Sequence, residues 1–227
     1  MKYPGKELEI FEKTTVFQNY TLLLVKNFMK GRILEVGAGI GSFTNHYHKR
    51  FNKVFLNDLD KSNVKKLKKR FNIFKNIKII DKKTHQVKSK FETIMYINVL
   101  EHIKKDILEI KTAEKKLTKN GHLIIFVPAH QVLFSKFDKA VGHYRRYSLD
   151  FFKKNHSKNL VLKKLVYVDS MGYILYFLNK IFFSDQTYPS KFKVLLWDKV
   201  FCPLSILLDF ISLQKFGKNI LCVYQKK

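Results

Sequence analysis

The chain is short of acids, cysteines, prolines and glycines, and each shortage closes off a class of protein. Only two cysteines occur, Cys202 and Cys222, each among apolar neighbours (Val200-Phe201-Cys202-Pro203 and Ile220-Leu221-Cys222-Val223). Two cysteines cannot build a disulfide framework, and these lack metal-ligand spacing. Both read as buried free thiols of a reducing compartment, and no metal is expected. Four prolines and nine glycines in 227 residues leave no Pro- or Gly-rich linker and no low-complexity segment. No uncharged run is long enough to span a bilayer. The apolar stretches 171–183 and 194–213 are too short or broken by Lys180, Asp198, Lys199 and Asp209. The charged N-terminal stretch has no apolar run of the signal-peptide kind. A cytoplasmic protein, soluble or peripheral to the inner face of the membrane, is expected.

Acids number 18 against 44 Lys and Arg, a formal charge of +26. Such an excess suits an anionic partner, either nucleic acid or a membrane surface. The plainer reading is a solvated lysine surface, because the lysines are spread along the chain with few recognition motifs beside them.

What is present is a regular alternation of short apolar runs and helical patterns. Residues 8–29 have helical spacing at Leu8, Phe11, Leu22, Val25 and Phe28. Strands are expected at 32–36, 53–57, 76–80, 93–97 and 122–127. Helices are expected between them at 42–51, after a Ser62 cap, and at 106–117 with an Asn120-Gly121 stop. This rhythm means βαβ units and a doubly wound α/β sheet. A sixth strand is expected at 160–168, then two apolar helical segments around 171–183 and 191–213, then a last strand at 219–225. No domain boundary is visible. The chain reads as one domain: an N-terminal helical cap (1–30), a core (31–168), a helical insertion (169–218) and a last strand (219–227).

The first strand runs into Glu35-Val36-Gly37-Ala38-Gly39-Ile40-Gly41. Glycines there let the backbone turn tightly and approach a ligand at the carboxyl end of the strand. No Lys follows them, so this is not a P-loop. Ser42 stands where a dinucleotide loop would place its third glycine. The remaining pattern, E-x-G-x-G-x-G, resembles motif I of class I S-adenosylmethionine-dependent methyltransferases. Asp58 ends the second strand, about twenty residues on, where a carboxylate can accept both ribose hydroxyls. Asp60 is a weaker candidate for that role. The resemblance implies a Rossmann-like sheet of seven strands, the last antiparallel, with a helical insertion between strands six and seven. It also implies S-adenosyl-L-methionine as cofactor, held by Glu35, Gly37, Ala38, Gly39, Gly41, Asp58, Leu59, Asp81, Asn98 and Val99. Asp81 reads equally as a turn residue.

Asn98-Val99-Leu100-Glu101-His102 resembles the segment that flanks the cofactor in many small-molecule methyltransferases. Val127-Pro128-Ala129, Asp138 and Gly142-His143-Tyr144-Arg145-Arg146-Tyr147-Ser148 are similar to the signature of a bacterial subgroup of that family. Loops after parallel strands lie on the ligand side, so this block is expected to face the acceptor. His102, His130 and His143 are candidate bases. Tyr144 stands beside them. Arg145 and Arg146 could grip an anionic group, or pair with Asp138 or Asp150. The apolar insertion reads as a lid over the acceptor, a surface that meets an anionic bilayer, or an ordinary helical cap with its own core. The expected function is methyl transfer to a small-molecule or lipid-linked acceptor, on oxygen or nitrogen. An RNA or DNA methyltransferase is the less favoured reading. No N-P-P-Y or D-P-P-Y follows strand four, no catalytic cysteine is in place and no RNA-binding module is appended. A cofactor-binding protein without catalysis is disfavoured by the crowded 130–148 block.

Overall fold

A computed structural model of the chain describes residues 3–5, 7–182 and 188–227. In chain order the elements are α1 (Leu8–Phe11), α2 (Thr15–Val25), β1 (Ile33–Val36), α3 (Thr44–Tyr47), β2 (Val54–Asn57), α4 (Lys61–Phe71), β3 (Ile77–Ile80), β4 (Phe91–Ile97) and α5 (Asp106–Lys116). Then follow β5 (Leu117–Pro128), α6 (Lys136–Ala140), α7 (Leu149–Lys154), β6 (Leu160–Val168), α8 (Ser170–Phe182), α9 (Lys191–Leu196), α10 (Cys202–Ile211) and β7 (Asn219–Lys226). Phe183, at the end of the expected apolar segment 171–183, lies outside the described residues.

The seven strands form one sheet in the order β3-β2-β1-β4-β5-β7-β6. β7 runs antiparallel to both β5 and β6, and the other pairings are parallel. Alternate residues of the central strands feed two cores. Leu34, Ile94, Leu123 and Ile125 pack against Ile110 of α5 and Phe152 of α7. Ile33, Met95, Ile124 and Phe126 pack against α2, α3 and α4 through Tyr20, Tyr47, Leu67 and Phe71. Burial on both faces is why these strands read as nearly unbroken apolar runs.

Four local expectations are corrected. The N-terminal helix is broken at Thr14, whose backbone leaves the helical region (φ −81°, ψ 65°). Its hydroxyl donates to the Phe11 carbonyl at 2.6 Å, an alternative to the helical ladder. The helix after β1 shortens to α3 and a tight turn over His48–Arg50. Asp60, not Ser62, caps α4: its carboxylate accepts from the Ser62 and Asn63 amides. Asn120-Gly121 does not stop α5, because the chain is already extended at Leu117. Asn120 instead takes φ +60° inside β5, where the β4–β5 register shifts.

The insertion between β6 and β7 is helical, with a wide turn at Trp197–Phe201 joining α9 to α10. β6 is parallel to β5, so Val168 delivers the insertion to the carboxyl edge of the sheet. Buried acids fasten it there. Asp209 accepts from the Asp169 and Ser170 amides at 2.8 and 2.9 Å and from the Tyr20 hydroxyl at 2.8 Å. Asp198 accepts from the Phe17 amide at 2.9 Å.

Candidate active site

The carboxyl ends of β1, β2, β4 and β5 meet along one edge, and the loops after them carry the polar residues. Gly37 (φ +66°) and Gly41 (φ +80°) turn the chain after β1 through left-handed backbone that side chains rarely adopt. A Cβ on Gly37 would stand 2.6 Å from Val99, and one on Gly41 would collide with the Phe71 ring. Only bare glycine lets this loop lie so close to the loop after β4. The Ala38 amide donates to the Asn57 carbonyl at 2.9 Å, tying the loop to the end of β2.

Asp58 is buried beside this loop. Its carboxylate accepts from the Gly39 and Asp60 amides, both at 2.8 Å. Burial raises its pKa, and the backbone hydrogen bonds offset part of that rise. Asp60, the α4 cap, also accepts from the Tyr3 amide at 2.6 Å. Leu59 is half-buried between them. Asp81 is exposed at the end of β3. Asn98 is exposed at φ +53°, and its amide donates to the Phe126 carbonyl at 2.8 Å. Glu35 differs from the other cofactor candidates. It is buried in the sheet, and one of its oxygens accepts from Thr44 and Tyr47, both at 2.7 Å. Burial pushes its pKa up to about 7 against those two hydrogen bonds. It supports the loop from beneath.

The second half of the site is built from the β4 loop and the 138–147 block. His143 Nδ1 lies 2.7 Å from Asp138, and its Nε2 lies 3.9 Å from Glu101. The His102 and His143 rings meet edge-on with centroids 4.5 Å apart. Burial, and then the neighbouring His143, lower the His102 pKa to about 4. Glu101 is 1% exposed, and neither of its oxygens has a hydrogen-bond partner. Burial raises its pKa to about 7. Arg146 grips Asp138 through two hydrogen bonds, both 2.9 Å, and lies 4.5 Å over the Tyr176 ring. Burial works to raise the Asp138 pKa, but the hydrogen bonds from His143 and Arg146 outweigh it and hold the group ionised.

The structure therefore joins His102 to His143 and separates the other catalytic candidates from them. His130 Nε2 lies 3.0 Å from the Gly217 carbonyl, and its ring stacks on Tyr167. Arg145 pairs with Asp106 and donates to the Lys104 carbonyl at 3.0 Å. Tyr144 is half-exposed, and its amide donates to the Glu101 carbonyl at 2.9 Å. Sequence reasoning left Glu101 off the catalytic candidates, although it stands beside His102 in the N-V-L-E-H segment. The N-terminal segment was also missed. The Tyr3 and His102 rings meet edge-on with centroids 5.5 Å apart, Pro4 lies against Gly142, and Leu8 faces Gly39. This segment roofs both halves of the site. An open cleft of about 430 Å³ lies elsewhere, at the amino edge of the sheet beside Arg32, Arg50, Phe51 and Glu92.

A parallel sheet in this strand order, with an antiparallel β7 and a glycine loop on its carboxyl edge, defines a Rossmann-like α/β fold. Coclaurine N-methyltransferase bound to N-methylheliamine and S-adenosylhomocysteine superposes with a TM-score of 0.63 at 12% identity, covering 94% of this chain and 72% of that one. The N-methyltransferase NodS from Bradyrhizobium japonicum WM9, in complex with S-adenosylhomocysteine, gives 0.63 at 13% identity, covering 98% and 93%. The YcgJ protein from Bacillus subtilis gives 0.63 at 14%, covering 92% and 99%. Comparison with curated protein sequences finds no match. A family profile described as a methyltransferase domain matches residues 9–161, and the chain belongs to that family.

Proposed function

We propose that the chain transfers a methyl group from S-adenosylmethionine to a small-molecule acceptor, on oxygen or nitrogen. The observation that carries this reading is one shared edge: the glycine cradle with buried Asp58 on one side, and Glu101, His102 and His143 on the other. Tyr3 touches both, through its amide on Asp60 and its ring on His102.

The residues present fit the cofactor. The loop Gly37, Ala38, Gly39 and Gly41 offers bare backbone at the carboxyl end of β1. Asp58 keeps acceptor capacity beyond its two amide partners, and that capacity suits ribose hydroxyls. Leu59, Asp81, Asn98 and Val99 border the same loop ends. When bound, S-adenosylmethionine supplies a methyl group on a positively charged sulfur, already open to a nucleophile. The protein's work is then alignment and exclusion of water. The Glu101–His102–His143 cluster is the place for the acceptor's reacting atom. Arg146 and Asp138 are positioning residues that hold His143, and Arg145 braces the loop through Asp106.

The cap favours a lipid-linked acceptor within this class. Three of its helices expose apolar residues at helical spacing: Ile174, Phe177 and Leu178 on α8, Phe192, Leu196 and Val200 on α9 and its following turn, and Leu204, Leu207 and Ile211 on α10. Exposed Lys199 and Lys215 stand among them. No described helix is long and apolar enough to cross a membrane. A face that is apolar and basic together suits the surface of an anionic bilayer.

Calorimetry with S-adenosylhomocysteine tests the central reading. The wild type is expected to bind, and Asp58→Ala to lose at least tenfold in affinity with its fold intact by circular dichroism. Unchanged affinity in the variant would overturn the ribose assignment.

A further inference from the structure

We propose that Glu101, His102 and His143 form a binding site for a divalent transition-metal cation, with its open positions turned to the acceptor. The proposal rests on reading this edge as the methyl-transfer site and adds how the acceptor is activated there. Among the described residues this is the one group of three such side chains whose ligand atoms converge, all within 4.8 Å of one another.

Three observations point to a cation. The first is Glu101. Its carboxylate is 1% exposed, and both oxygens lack a hydrogen-bond partner. The approach of His143 Nε2 at 3.9 Å is too long for a hydrogen bond. A buried carboxylate without partners is costly, and a cation removes that cost. The second is the Asp138–His143 contact at 2.7 Å. Arg146 donates to both Asp138 oxygens, so the carboxylate is the acceptor and Nδ1 the donor there. In the neutral ring the lone pair is then on Nε2, directed at Glu101. A carboxylate behind a histidine is the usual support of a metal-binding imidazole. Arg146 fixes that carboxylate in turn, with two hydrogen bonds of 2.9 Å. The third is His102, whose ring stands edge-on to His143 with centroids 4.5 Å apart.

The donor set narrows the ion. Two imidazoles and one carboxylate suit zinc, manganese, iron, cobalt or nickel, whereas magnesium and calcium prefer oxygen throughout. Tetrahedral ligands on bonds of about 2.1 Å lie about 3.4 Å apart. The ligand atoms lie within 4.8 Å of one another, so a bound ion would draw them together by at most about 1.4 Å. Three protein ligands leave room for the acceptor, as in zinc sites that act by polarising a bound oxygen. A coordinated hydroxyl would lose its proton to solvent near neutral pH, and its oxygen would take the methyl as the carbon–sulfur bond breaks and S-adenosylhomocysteine leaves, so the site selects an oxygen acceptor over an amine. Cysteine spacing carries no sign of such a site, because the ligands come from two loops that only the fold brings together.

The test uses the full chain, stripped by a chelator and titrated with cobalt(II). One equivalent is expected to bind with visible absorption typical of a low-coordinate nitrogen–oxygen site. Zinc is expected to compete it out. Glu101→Gln and His143→Asn are expected to lose at least tenfold in cobalt affinity, with S-adenosylhomocysteine binding kept within twofold by calorimetry. No cobalt absorption in the wild type, or unchanged affinity in both variants, overturns the proposal. If a variant unfolds, proton NMR of the zinc-titrated wild type decides. Two of the eight histidines should shift at one equivalent, and none shifting overturns the site. Cobalt bound without S-adenosylhomocysteine binding would sink the methyl-transfer reading and leave the cation site standing. The reverse pattern would do the opposite.

Discussion

Glu35 shows how a motif residue acts without facing the ligand. Its carboxyl is closed inside the sheet on Thr44 and Tyr47, and burial raises its pKa to about 7. In the unfolded chain the group ionises near its ordinary value, about 4.3. Between these two values the folded state holds a proton that the unfolded state has released. Stability therefore falls as pH rises from about 4.5 to 7 and levels off above the folded pKa. The shift corresponds to about 4 kcal/mol at most. Glu35→Gln keeps the shape and is expected to remove this fall. Urea denaturation at several pH values reads it, and an identical pH slope in both proteins would contradict the assignment. The neighbouring arginines carry a second lesson at this scale. In the sequence Arg145 and Arg146 are interchangeable, each able to pair with Asp138. In the fold Arg146 takes Asp138 and is buried, while Arg145 turns to Asp106. Which way each points depends on the path of the loop, and no local spacing encodes that.

Helix α4 carries the prediction at the scale of elements. Asp60 accepts from the Ser62 and Asn63 amides, which satisfies donors the first turn leaves open, and also from the Tyr3 amide. The Ser62 side chain, and then the Tyr3 amide, lower its pKa to about 2, so its contribution is complete at neutral pH and lost only as pH falls toward that value. Asp60→Ala is expected to cost about 1–2 kcal/mol at pH 7, while Asp60→Asn, still an acceptor, recovers most of it. Thermal denaturation measures both. A neutral Ala variant would mean that the cap is idle. Elements differed in how legible they were for a physical reason. β1, β4 and β5 were readable because burial on both faces demands apolar runs, and the glycine loop because left-handed turns demand glycine. The break at Thr14, the bulge at Asn120 and the Asp60 cap were not, because each turns on a single hydrogen bond or φ angle. Glu101 and His102 were in view as letters, but their meeting with His143 is tertiary.

For the molecule as a whole, the question is what the cap and the charge of +26 are for. Asp198 and Asp209 look in the sequence like interruptions of an apolar run. In the fold they are buried and hold the insertion to α2 and to the end of β6, so the helices around them keep an apolar face outward without detaching. Phe210 is 79% exposed and Leu207 55% exposed on α10, and neither is needed for the core. Inserting a side chain of this size into lipid is worth roughly 1.5–3 kcal/mol, and each lysine near an anionic surface adds about 1. A few such contacts make reversible, salt-sensitive adsorption. The protein is expected to co-sediment with phosphatidylglycerol vesicles at low salt and much less with phosphatidylcholine. Leu207→Glu combined with Phe210→Glu should weaken the anionic binding at least tenfold and leave the melting temperature nearly unchanged. Equal binding by the double variant would remove the cap from the interface. Indifference to vesicles, with steeply salt-dependent retention of single-stranded RNA, would return the positive charge to nucleic acid. Lipid binding that depends on α10 would instead explain why an apolar cap sits on the catalytic edge: an acceptor drawn from the bilayer reaches the His143 side without crossing water.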